Sequence, residues 1–114
     1  MIFVIDDDLV MAKCIADATK KETRIFSNAI EAMQALDEEL PELIFLDILL
    51  TGPDGFTFLN EMVSYSDTAA IPIVVVSSLD FSGKNLSAYG VVGYLSKDTM
   101  TPAEIKGYAD KYAK

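Results

Sequence analysis

The sequence has no histidine and a single cysteine. The first absence removes histidine general bases and histidine metal ligands. Cys14 alone cannot form an internal disulfide, which points to a reducing compartment and a cytoplasmic location. Basic residues are scarce: nine Lys and Arg against eighteen Asp and Glu leave a net charge of −9. That argues against nucleic acid or an anionic membrane as a direct partner, though not against an attached domain that binds DNA. No apolar run approaches the roughly 20 residues that cross a bilayer. Residues 1–5 lack the basic stretch of a signal peptide. Internal repeats, low-complexity tracts and linkers are also missing. What remains is 114 residues, read as one domain over 1–114, with no effector domain in this chain and enough length to bury a core.

The chain is organised around residues 43–56, where Leu43-Ile44-Phe45-Leu46 runs into Asp47 and then into Thr51-Gly52-Pro53-Asp54-Gly55. A short apolar run closed by turn residues reads as a strand buried on both faces. Asp47 then stands where that strand leaves the sheet, the edge at which open α/β sheets bind ligands.

Similar runs predict strands at 2–5, ending at Asp6-Asp7-Asp8, and at 73–76, ending at Ser77-Ser78. The run at 91–95 leads to Ser96-Lys97, and 24–27 is more polar and nearer an edge. Helices are expected between them. Asp8 N-caps a helix over 9–21 whose inner face is Met11, Cys14, Ile15 and Ala18. Asn28 with Glu31 opens a second, with Ile30, Met33, Leu36 and Leu40 inward. A third over 56–66 turns Phe56, Leu59, Met62 and Val63 inward, and 82–89 has room for only a short fourth helix. Thr101-Pro102-Ala103-Glu104 starts the last one with an N-cap, a proline at N1 and a glutamate at N3. Strands alternating with helices imply a parallel sheet with right-handed crossovers and helices on both faces. All strand carboxyl ends then share one edge, with Asp6, Asp7, Asp47, Ser77 and Lys97 on it.

Carboxylates converging in one crevice repel one another unless a cation intervenes. Oxygen-only ligands suit Mg²⁺. Lysine offers a phosphoryl group a point charge, and serine offers it a hydrogen bond. A carboxylate can itself accept the phosphoryl group as an acyl phosphate.

Over its whole length the chain resembles the receiver domain of two-component response regulators. Asp6-Asp7 match that family's acidic pair, Asp47 its phosphoacceptor, Ser77 its hydroxyl after the fourth strand and Lys97 its lysine after the fifth. Asp54-Gly55 match the opening of its third helix, and Tyr94 fills its aromatic position. The resemblance implies a flavodoxin-like, doubly wound sheet of order 2-1-3-4-5. It implies that Asp47 receives phosphate from a phosphohistidine on a sensor histidine kinase or phosphotransfer protein. Mg²⁺ would be held by Asp7, Asp47 and the Leu49 carbonyl, with Asp6 acting largely through water. Ser77 and Tyr94 would form a switch reshaping the face of the 82–89 helix, the fifth strand and the last helix, where a second copy or an effector docks. Such a domain promotes its own phosphorylation and dephosphorylation but is not a turnover enzyme.

Each residue also has a plain structural reading. The three aspartates cap a helix, Asp47 starts a turn, Ser77 is a loop hydroxyl, Lys97 is solvated, and Tyr94 and Cys14 are core. Four strand ends carrying complementary groups at one edge favour the joint reading. Departures from the family pattern fall at Thr51 and Pro53, in the turn after the phosphoacceptor. Asp98 replaces the usual proline after Lys97, where a trans bond is expected. The stretch from Ser77 to Tyr94 is short, so the 82–89 helix should be stunted. Leu49 and Leu79, two beyond the acceptor and two beyond the switch hydroxyl, cannot orient a water and imply a long-lived phosphoryl group.

Two rival functions remain. In a haloacid-dehalogenase-like phosphatase, Asp6-x-Asp8, Ser77 and Lys97 would be the first three motifs. That family needs an acidic strand end after the lysine, and none follows Lys97. The other rival is a receiver-like interaction module that is never phosphorylated.

Overall fold

The computed structural model describes residues 1–48, 55–78 and 86–113, leaving aside the side chains at 55 and 56. Within these, five strands form one parallel sheet in the order β2-β1-β3-β4-β5. They are β1 (Ile2–Ile5), β2 (Thr23–Phe26), β3 (Leu43–Asp47), β4 (Ile73–Ser77) and β5 (Val91–Ser96). The flavodoxin-like order expected from the resemblance is the one observed.

Every residue of β1, β3 and β4 is buried, as continuous apolar runs require of strands covered on both faces. Their side chains alternate between two cores. Phe3, Ile5, Ile44, Leu46, Ile73 and Val75 face one layer. Ile2, Val4, Leu43, Phe45, Val74 and Val76 face the other. The first layer is covered by α2 (Ala29–Leu36) and α3 (Gly55–Val63), the second by α1 (Leu9–Thr19) and α5 (Pro102–Tyr112). A one-turn α4 (Ser66–Ala69), which the sequence reading did not foresee, follows α3.

Helix starts match their local chemistry. Asp8 accepts hydrogen bonds from the N–H groups of Val10 and Met11, and Asn28 accepts one from Glu31 N–H. Thr101 and Glu104 close a reciprocal capping box with Pro102 just inside. Helix phase matches expectation in part. In α1 the buried residues are Ala12, Ile15, Ala16 and Thr19; Met11 and Ala18 are partly buried against the same core, and Cys14 is exposed. In α2 they are Ala29, Ala32, Ala35 and Leu36, with Met33 partly buried; Ile30 is exposed, as is Leu40, which lies beyond the end of the helix. In α3, Leu59 and Met62 are buried as expected, Phe58 joins them and Val63 is exposed. The strands already supply phenylalanines and branched residues to both cores, so α1 and α2 approach the sheet mainly through alanines, while α3 brings larger side chains. Phe56 lies outside the described side chains.

Of the expected 82–89 helix, the described part is a single 3-10 turn at Ser87–Tyr89, closed by Gly90 at φ 83°. A side chain there would be strained and would crowd the Ile71 carbonyl. Residues 79–85 lie outside the described residues. Gly93 in β5 lets the Tyr108 ring of α5 lie directly on the strand, in space a Cβ would fill.

Candidate phosphoryl-accepting site

The ladder registers bring the chemistry together. Ile5 pairs with Leu46, so Asp6 and Asp47 leave neighbouring strands side by side. Asp47 pairs with Val76, and Ser77 pairs with Ser96. The Lys97 N–H extends that ladder by one hydrogen bond to the Ser77 carbonyl, 3.0 Å. Asp6, Asp7, Asp47, Ser77 and Lys97 thus all stand at the carboxyl edge, as expected. Asp6, Asp47 and Ser77 are buried; Asp7 is exposed.

Three consecutive aspartates divide the work. Asp8 is taken by the start of α1. Asp6 turns inward: its Oδ1 accepts the Asp8 N–H at 2.9 Å. One oxygen each of Asp6, Asp7 and Asp47 lie within 4.8 Å of one another. Lys97 Nζ spans two of them, 3.0 Å from Asp47 Oδ2 and 3.1 Å from Asp6 Oδ2. The contact with Asp47 is a hydrogen bond. The contact with Asp6 lies off the hydrogen-bonding direction, so Asp6 Oδ2 is an ion-paired oxygen that is buried and accepts no hydrogen bond.

Electrostatics follow from this packing. Burial pushes the Asp6 carboxyl above the usual carboxylate range; the Asp8 N–H and Lys97 pull it down without cancelling the effect. Burial alone would depress Lys97, but its hydrogen bond to Asp47 and its pairing with Asp6 outweigh that and hold the ammonium above its ordinary value.

The donor set fits a hard divalent cation. It is all carboxylate, it converges, and it contains a buried oxygen without a hydrogen bond. The Leu49 carbonyl, expected as a further ligand, lies outside the described residues, as do Thr51, Pro53, Asp54 and Leu79.

The aim of Lys97 has a local cause that the sequence reading overlooked. Ser96 Oγ accepts the Asp98 N–H at 3.2 Å, and the Ser96 carbonyl accepts the N–H groups of Thr99 and Met100. This serine-anchored turn holds the backbone where a proline is usual, and every described peptide bond is trans. The signal was present as a serine two residues before Asp98. Tyr94, expected as a switch, is half-buried against the α2/α3 core, and its hydroxyl accepts the Leu86 N–H at 3.3 Å.

The response regulator receiver domain profile matches residues 2–109. Response regulator PleD of Caulobacter vibrioides is 31% identical over 115 residues, covering 92% of this chain and 25% of that protein. A protein-glutamate methylesterase/protein-glutamine glutaminase of Geobacter metallireducens is 29% identical, covering 87% of this chain and 30% of its own length. The chain therefore spans about a quarter to a third of these curated relatives. The receiver domain of NtrX from Brucella abortus superimposes with a TM-score of 0.84 at 26% identity, covering 98% of this chain and 97% of that one. Chemotaxis protein CheY4 of Vibrio cholerae shares the fold, with a TM-score of 0.85 at 16% identity. Phosphotransfer to an aspartate is the general function of this family, and its domains generally bind Mg²⁺. With the sheet order, the converging carboxylates and the bridging lysine in place, the chain belongs to the response regulator receiver domain family.

Proposed function

We propose that Asp47 is the phosphoacceptor of this receiver domain, and that the donor is a phosphohistidine on a sensor histidine kinase or phosphotransfer protein. The observation that carries this reading is Lys97 Nζ held 3.0 Å from Asp47 Oδ2 and 3.1 Å from Asp6 Oδ2 at the carboxyl edge. A carboxylate oxygen of Asp47 attacks phosphorus while the phosphorus–nitrogen bond breaks. The imidazole leaves with that electron pair and takes a proton, and an acyl phosphate forms on Asp47. Lys97 offsets the negative charge of the transferred group, and the Ser77 hydroxyl donates a hydrogen bond to one of its oxygens. A Mg²⁺ ion held by Asp6, Asp7 and Asp47 would supply further charge neutralisation.

Asp8 belongs to the cap of α1, and no acidic strand end follows Lys97; both weaken the dehalogenase-like reading. Output through Ser77 and Tyr94 to the face formed by 82–89, β5 and α5, a homodimer or effector on that face, a single domain over 1–114 and a cytoplasmic setting complete the proposal. The domain acts on itself rather than turning over a substrate. Among the described residues no helix is long and apolar enough to cross a membrane.

The test is incubation with phosphoramidate and Mg²⁺, read by intact mass. One phosphoryl group should be gained by wild type and none by Asp47→Asn. Equal uptake by the variant would contradict the assignment. No uptake by folded, Mg²⁺-loaded wild type would favour the never-phosphorylated module.

A further inference from the structure

Away from the carboxyl-edge site, a cavity of about 170 Å³ opens between the ends of α2 and α3. Leu36 and Met62 lie in its lining and are buried. Asp37, Glu61, Asp67 and Tyr65 also line it and are exposed. None of these three carboxylates forms an ion pair among the described residues, unlike Asp110, which Lys106 and Lys21 engage. Two helices also end here. The last turns of α2 and α3 contain no basic residue, so the negative ends of both helix dipoles add to the carboxylates. Tyr65 is 58% exposed and offers an aromatic face at the same rim.

An apolar floor beneath carboxylates that no described basic side chain pairs suits a cation on an apolar stem. The volume limits what that cation is. Pockets for whole small molecules run from about 300 Å³ upward, so this one takes a single side chain. A guanidinium fits the rim better than an ammonium, because its planar fork pairs with carboxylates and stacks on an aromatic ring. A second copy of this chain is a poor source. Its sole arginine, Arg24, is already paired with Glu39 at 3.3 Å and lies over the rings of Phe3 and Phe26.

We propose that this cavity is a docking pocket for an arginine side chain presented by a segment of another protein. The pocket lies on the α2/α3 layer and is independent of the phosphoacceptor assignment.

The probe is the peptide acetyl-Leu-Arg-Leu-amide, titrated into isotope-labelled full chain and followed by amide NMR. Saturable shifts should centre on residues 36–37 and 61–68 and weaken with salt. The same peptide with citrulline in place of arginine should leave them unmoved. Glu61→Gln/Asp67→Asn should weaken binding by about tenfold, the sum of two modest surface charge contacts. Asp17→Asn/Glu22→Gln removes the same charge from α1 and the turn that follows it, and should leave affinity unchanged. Shifts scattered over the acidic surface, equal binding of the citrulline peptide, or equal weakening by the two double variants would each overturn the proposal.

Discussion

The two ends of the central strands are finished in different ways. At the amino end the backbone closes on itself. Ile2 N–H donates to Glu22, Glu42 N–H to Met1, Ile44 N–H to Pro72 and Ile73 N–H to Gly90, all at 2.9–3.0 Å. An ion pair there joins the Met1 amino group to Glu42 at the surface. At the carboxyl end the same strands deliver Asp6, Asp47, Ser77 and Lys97 into a crevice. There a lysine bridges two buried carboxylates and one oxygen has no hydrogen bond. Buried charge and an unmade hydrogen bond cost free energy. Among the described residues the fold carries that cost at the carboxyl end, and that end is where a phosphoryl group and a metal would be received.

A change in the middle of the sheet acts on both ends. Phe45 is about 1% exposed in the α1/α5 core. Phe45→Ala should destabilise the domain by about 3–5 kcal/mol and so weaken both ends together. Thermal unfolding reads the loss, and a change under 1 kcal/mol would mean that the core does not hold the two edges in register.

Lys97→Ala acts at the carboxyl end alone. Phosphoryl uptake should fall on the order of 100-fold, the scale of losing one preorganised charge contact to the transferred group. A time course of uptake, with folding checked by circular dichroism, measures it; an unchanged rate would remove Lys97 from the chemistry.

Asp6 sharpens the contrast between stability and function. Its carboxyl is raised in the fold, so the stability it contributes is present below the ordinary carboxylate value and is lost as pH rises through its folded value. Without metal, Asp6→Asn should therefore stabilise the domain at neutral pH by about 1 kcal/mol, the scale of a buried acceptor without a hydrogen bond. The gain should shrink in acid, where both forms are neutral. Denaturant unfolding across pH checks this, and a variant less stable at pH 7 would contradict it. Lys97 is also raised, so its contribution should persist below the ordinary lysine value and fade as pH rises through its folded value.

Glu42→Gln at the amino end removes an exposed pair and should change stability by a few tenths of a kcal/mol at most. A larger effect in the same unfolding measurement would erase the asymmetry between the ends.

Much of this was legible in the sequence. Apolar runs ending in Asp6, Asp47, Ser77 and just before Lys97 have one simple reading, a buried parallel strand leaving the sheet with a polar group. Caps were legible for the same reason, since Asp8, Asn28 and Thr101 act on residues two or three positions away. Helix phase was legible only in part, as in α3, where Leu59 and Met62 are buried as their spacing suggests. In α1, Met11-Cys14-Ile15-Ala18 and Ala12-Ile15-Ala16-Thr19 both fit a helical stripe, about 100° apart. Hydrophobicity favours the first, but the space left by Ile2, Val4 and Phe45 favours the smaller second set. That is tertiary packing, which periodicity does not encode. The Lys97 contact with Asp6 was hidden too, because it depends on β1 and β5 both ending beside β3 and β4.

On the proposed reading the carboxyl end accepts phosphate on Asp47. The most direct test is to phosphorylate the protein with phosphoramidate and Mg²⁺, reduce the acyl phosphate with borohydride to homoserine, and map the modified residue by peptide mass spectrometry. Homoserine is expected at position 47 and nowhere else. Homoserine at position 6 or 7, with none at 47, would contradict it.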